Sequence, residues 1–212
     1  MHINEKRGAF HRLKTKCEGI IPIFFWCALI FGFTEPAVAV LTLITAASHE
    51  MGHLLAIYVL GARPAGMGGR WLGLGISLPR HLSYKAEALI YAAGPAANLL
   101  CAAIGCLLLR WHHEYALLFV LLNLATAISN LLPVEGHDGY GLIRAVACGA
   151  DSSERTLHGL SLTFTAALCL LSLYVVDRIG EGYFIFAVTA ASLLSSMRSG
   201  LSRAKKRDLA SL

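Results

Sequence analysis

The chain is short of charge. Asp, Glu, Lys and Arg make up 15% of its 212 residues, whereas apolar types make up 56% and mean hydropathy is +0.62. A soluble domain carries about 25% charged residues, and a disordered chain is both more polar and poorer in apolar types. Both classes are excluded. A 22.8 kDa globule has no interior large enough to hide this much apolar surface, so lipid has to be part of the solvent.

Other absences narrow the class further. Six cysteines form no CxxC pair and no dense framework. Four of them, Cys27, Cys101, Cys106 and Cys169, lie in apolar runs, where a thiol acts as a small hydrophobe, so all are expected to be unpaired. The longest stretches outside the apolar runs, Gly61 to Glu87 and Pro133 to Leu157, fall short of the roughly 40 residues a lone core requires. No internal repeat is apparent.

What is present is a series of apolar runs: Gly19 to Phe33, Ala37 to Leu60, Ala88 to Leu109, Tyr115 to Leu132, His158 to Val176 and Gly182 to Met197. At about 1.5 Å per residue the second and third cross a hydrocarbon core of about 30 Å with ease, while the first and last are short. The expected fold is an all-α polytopic membrane protein of about six transmembrane helices. It is expected to form one membrane domain over 1–212: a basic N-terminus (1–18), four spans with the functional core (19–140), two further spans (141–197) and a basic tail (198–212). Ala37-Val38-Ala39 offers the alternative of a signal cleavage site.

The net charge of +5 is read as topology and not as nucleic-acid binding. With six spans, all but two of the 18 Lys and Arg fall on one face, leaving Arg110 and Arg178 opposite; that asymmetry predicts cytoplasmic termini. The Arg203 to Arg207 run is read as an anchor of this topology, able to touch anionic headgroups.

Within the second run, His49-Glu50-Met51-Gly52-His53 places three ionisable groups in five residues. Such groups are costly in a membrane span and point to function. Residues four apart share a helix face, so His49 and His53 aim at a common point. This is the HExxH arrangement of zinc hydrolases, with Glu50 as general base. A third ligand is required, and topology brings Glu135, His137 and Asp138 to the same cytoplasmic side as the imidazoles.

Three motifs in order, His49-Glu-Met-Gly-His53, Gly94-Pro-Ala-Ala-Asn98 and Asn130-Leu-Leu-Pro-Val-Glu-Gly-His-Asp138-Gly139, resemble the site-2 protease family of intramembrane zinc metalloproteases, in particular its short, sporulation-type members. The resemblance covers Ala37 to Tyr140. It implies Asp138 as the third zinc ligand, Glu50 as the base and Asn98 near the substrate or the developing oxyanion, with an interhelical hydrogen bond as the alternative for Asn98. Gly136 and His137 stand where the family usually has Pro and an apolar residue, and His137 remains a rival ligand. The implied partner is a membrane-associated protein substrate, such as a transcription-factor precursor or anti-sigma factor, in a bacterial cell membrane, with a regulatory membrane protein beside it. Lipid is the other partner and nucleic acid is not one.

Trp71 to Leu78 alternates large apolar residues with Gly and Ser, the period of a strand; this Gly-rich β-like loop after the second span is expected to pair with an unwound substrate. Asn123 and Asn130 share one face of the fourth span and are read as interhelical glue or as props of the Asp138 loop. Two alternatives stay open: a non-catalytic metal-binding protein or carrier, and a membrane metalloprotease whose third ligand is a later Glu. A diiron desaturase is disfavoured by the single HxxxH box.

Overall fold

A computed structural model describes residues 31–32, 34–64, 66–70, 73–78, 82–111, 113–147, 151–180 and 183–210. The first expected span falls almost wholly outside these residues, as does the basic N-terminus. The chain forms α1 (Pro36–Val59), β1 (Gly66–Arg70), β2 (Gly73–Ser77), α2 (Tyr84–Leu108), α3 (His113–Leu131), α4 (Asp138–Val146), α5 (Asp151–Ile179) and α6 (Tyr183–Ala210). It divides into two compact units, one ending at Ile128 and one beginning at Ser129.

In the first unit α1 packs along α2. Pro36 opens α1, where its missing N–H costs nothing. The helix stops in a Schellman turn: Gly61 takes φ +67°, its N–H donates to Tyr58 O (2.9 Å), and Ala62 N–H donates to Ile57 O (3.0 Å). Helix α2 starts at Ser83, whose Oγ accepts from Ala86 N–H at 3.3 Å. Gly52 permits the approach of the two helices, since a Cβ there would lie 2.8 Å from Ala97 Cβ.

Four helices, Pro36–Val59, Tyr84–Leu108, Glu114–Leu131 and Glu154–Ile179, are long and apolar enough to cross a membrane, and they match the second to fifth expected spans. The sixth run is helical, as α6, but does not reach the same apolar character, because Ser192, Ser195, Ser196 and Arg198 dilute it. The surface confirms the solvent. Leu100, Leu107 and Leu170 are 64–70% exposed, while the buried set includes Thr45, His49, His53, Asn98 and Asn123 in the first unit and Ser161, Thr165, Ser172 and Ser196 in the second. Such an inversion is unfavourable in water and natural in lipid, where small and polar residues hold helices together. The chain is an α-helical integral membrane protein. Cys101, Cys106 and Cys169 are free thiols, as expected.

The alternating segment forms a strand, and it has a partner. β1 and β2 pair antiparallel with Gly66 opposite Ser77 and Arg70 opposite Gly73. The observed strand starts two residues after Trp71, and its partner, Gly-Met-Gly-Gly-Arg, has no alternation to betray it. β2 lies against α1.

In the second unit α4 packs on α5, and α5 on α6. Asp138 heads α4 and Arg144 lies in its last turn, charges that complement the helix dipole at both ends.

Candidate metal centre

The imidazoles of His49 and His53 meet as the four-residue spacing requires. Their rings are edge to face with centroids 4.8 Å apart, and their Nε2 atoms are 3.2 Å apart. Both residues are buried, at 6% and 7% exposure. The second nitrogen of each ring is held by an acceptor: His53 Nδ1 lies 2.7 Å from Ile90 O, and His49 Nδ1 lies 2.6 Å from Asn98 Oδ1.

These partners decide the tautomers. A carbonyl oxygen only accepts, so His53 Nδ1 is the donor, and in the neutral imidazole its Nε2 carries the lone pair. The Asn98 amide cannot be turned around, because its Nδ2 donates to Thr45 O (3.1 Å) and to Asn123 Oδ1 (2.9 Å); His49 Nδ1 therefore donates to Asn98 Oδ1, and its Nε2 also presents a lone pair. Two lone pairs facing each other in a buried site repel unless a cation lies between them. Two nitrogens bound at about 2.0–2.1 Å in tetrahedral geometry stand about 3.3 Å apart, so the observed separation fits a shared metal ion.

Asn98 is fully buried, and both its donors and its acceptor are used within the protein. Asn98 thereby bonds across helices, as its alternative reading had it, and holds the orientation of His49. Asn123 is its brace, donating from Nδ2 to Thr45 Oγ1 (3.2 Å) and to Phe119 O (2.9 Å). Asn123 is thus bound to the histidine network, bonding across helices as expected. Thr45 and the Ile90 carbonyl were not legible as members. Thr45 is four residues before His49 on its face, which is a weak signal, and a backbone carbonyl gives none.

Gly94 leaves the room for the rings. A Cβ on it would lie 2.8 Å from His49 Cε1 and would press still harder on the His53 ring. Glu50 follows His49 on α1 and is half-buried.

In the second unit Asp138 is half-buried at the first position of α4, with His137 as the N-cap residue. Gly139 is pressed onto the end of α3, with a would-be Cβ 2.7 Å from Leu132 O. Burial lowers the His137 pKa; the Asp138 charge and a hydrogen bond to the Val134 backbone oppose this only in part. Glu135, also weighed as a ligand, turns its carboxylate to Ser196 and Ser199 of α6.

Neither a family model nor a curated protein matches the chain. Among solved structures, a site-2 protease from Methanocaldococcus jannaschii superposes with a TM-score of 0.62 at 17% identity, covering 84% of this chain and 87% of that one. The chain is thus similar in fold to that site-2 protease along most of its length.

Proposed function

We propose that this chain is an intramembrane zinc metalloprotease of the site-2 protease family. In this reading it hydrolyses a peptide bond of a membrane-associated protein near the cytoplasmic face, in a bacterial membrane with both termini cytoplasmic. The observation that carries the reading is the buried pair of His49 and His53, with their Nε2 atoms converging to 3.2 Å in a helix apolar enough to span a bilayer. The fold likeness supports it independently.

Asp138 supplies the third ligand. A carboxylate added to two neutral imidazoles is a donor set that suits zinc. Zinc held there would polarise the scissile carbonyl and acidify water. Glu50 accepts the proton of the attacking water and delivers it to the leaving amine, which requires no covalent intermediate. Asn98 and the Ile90 carbonyl hold the imidazoles in the ligating tautomer before substrate arrives, and such outer partners are typically worth 10–100-fold in metal affinity or activity.

The test is metal removal. Purified protein in lipid vesicles, incubated with a membrane-tethered substrate, is expected to lose cleavage on treatment with a strong chelator and to regain it on addition of zinc. Cleavage indifferent to chelation contradicts the reading.

The hairpin is proposed to hold the extended substrate. Among the described residues its sheet has two strands, so each has an outer edge able to add a strand. Gly75, opposite Gly68, lies mid-strand, where Pro removes an N–H and distorts the ladder. Gly75→Pro is expected to slow cleavage while metal content stays unchanged; undiminished cleavage removes the hairpin from the account.

A further inference from the structure

Glu135 precedes Asp138 by three residues, in the connection between α3 and α4, and it is held at both ends. Its backbone N–H donates to Ser161 Oγ of α5 at 2.8 Å. Its carboxylate Oε2 accepts from Ser199 Oγ at 2.7 Å and from Ser196 Oγ at 3.1 Å, both on α6, and lies 3.4 Å from His158 Nδ1 of α5. Ser161 is fully buried and Ser196 is 4% exposed. The donors come from matched positions: Ser196 and Ser199 share a face of α6, as His158 and Ser161 share a face of α5.

The turn does not require these bonds to close. Val134 N–H already donates to Leu132 O (2.8 Å), and His137 N–H to Val134 O (3.0 Å). Glu135 is half-buried, and three groups converge on its carboxylate, more than are needed to end a helix. Two residues, Gly136 and His137, separate Glu135 from Asp138, and the second is tied back to the turn by its N–H bond to Val134 O (3.0 Å). Gly136 takes φ +100°, a conformation Cβ-bearing residues rarely adopt, and Gly139 is backed against the Leu131 and Leu132 carbonyls. The position of Glu135 is therefore passed to Asp138.

We infer that Glu135 is a positioning residue for Asp138, through which Ser196 and Ser199 of α6 and His158 and Ser161 of α5 fix the third ligand. The inference rests on the proposed role of Asp138. It assigns the last two helices, which lie outside the three motifs, a direct share in metal binding.

The experiment compares zinc affinity by competition with a chromogenic chelator, and the absorption of the cobalt-substituted protein, across four forms: wild type, Asp138→Ala, Glu135→Ala, and the double variant Ser196→Ala with Ser199→Ala. Asp138→Ala serves as the control, since its affinity falls if Asp138 is a ligand; unchanged affinity there overturns the ligand reading itself. Given that control, Glu135→Ala and the serine double variant are expected to bind zinc about 10–100-fold more weakly, with a shifted cobalt spectrum and with cleavage restored by excess zinc. A packing role alone would lower yield or thermal stability and leave affinity and spectrum unmoved. Wild-type affinity and spectrum in the serine double variant, which removes only two hydroxyls and decides the matter if Glu135→Ala does not fold, overturn the inference.

Discussion

Glu50→Gln is expected to leave zinc bound and to abolish useful proteolysis. The substitution keeps the size of the side chain and the hydrogen-bonding capacity of one oxygen, but an amide has no basic site for the proton of the attacking water. General-base catalysis contributes about 10²–10⁴-fold, so cleavage by the purified protein should fall by about that factor or more. His49 and His53 keep their partners, Asn98 and Ile90 O. In cells the same comparison names the substrate: proteomics of membranes carrying wild-type or Glu50→Gln protein should reveal a membrane protein that accumulates uncut only with the variant. Equal cleavage by both forms contradicts the assigned base. A cellular phenotype insensitive to the change favours a non-catalytic metal-binding protein.

Gly94→Ala is expected to lose metal although it touches no ligand-forming atom covalently. In a helix interior, Ala is favoured over Gly by about 1 kcal/mol, so helix propensity alone would make the variant more stable. The added methyl, however, would lie 2.8 Å from His49 Cε1 and against the His53 ring. Overpacking of this kind costs about 1–3 kcal/mol, and the cheapest relief is to rotate the imidazoles. Rotation breaks the Nδ1 bonds to Asn98 and Ile90 that set the tautomers. The expected loss in zinc affinity is about 10–100-fold, read by the same competition assay, with the helical circular dichroism unchanged. Wild-type affinity would show that the rings have room the structure denies them.

The parts of the molecule legible in sequence are those written in local periodicity. The four-residue spacing of His49 and His53 guarantees a shared face in any helix, and long apolar runs identify four spans whatever their neighbours. Strand β2 announced itself by alternation, whereas β1 did not, since a Gly-rich strand has few side chains to alternate. The limits of α6 as a span were obscured by hydrophobic residues interrupted by serines whose purpose is tertiary. Ser196 and Ser199 serve a carboxylate more than sixty residues earlier in the chain, which no local pattern records. Asn98 stood out as a polar residue in a motif, and an interhelical hydrogen bond was one of its two readings; its particular partners, Thr45 O, Asn123 and His49, were not readable, because they come from other helices. The Ile90 carbonyl was invisible because every residue has one.

Metal analysis of protein purified without added chelator tests the central claim most directly. Wild-type protein is expected to hold about one zinc per chain and His53→Ala almost none. Wild-type protein that is folded but free of metal, and that does not take up zinc when offered it, would contradict the account at its root.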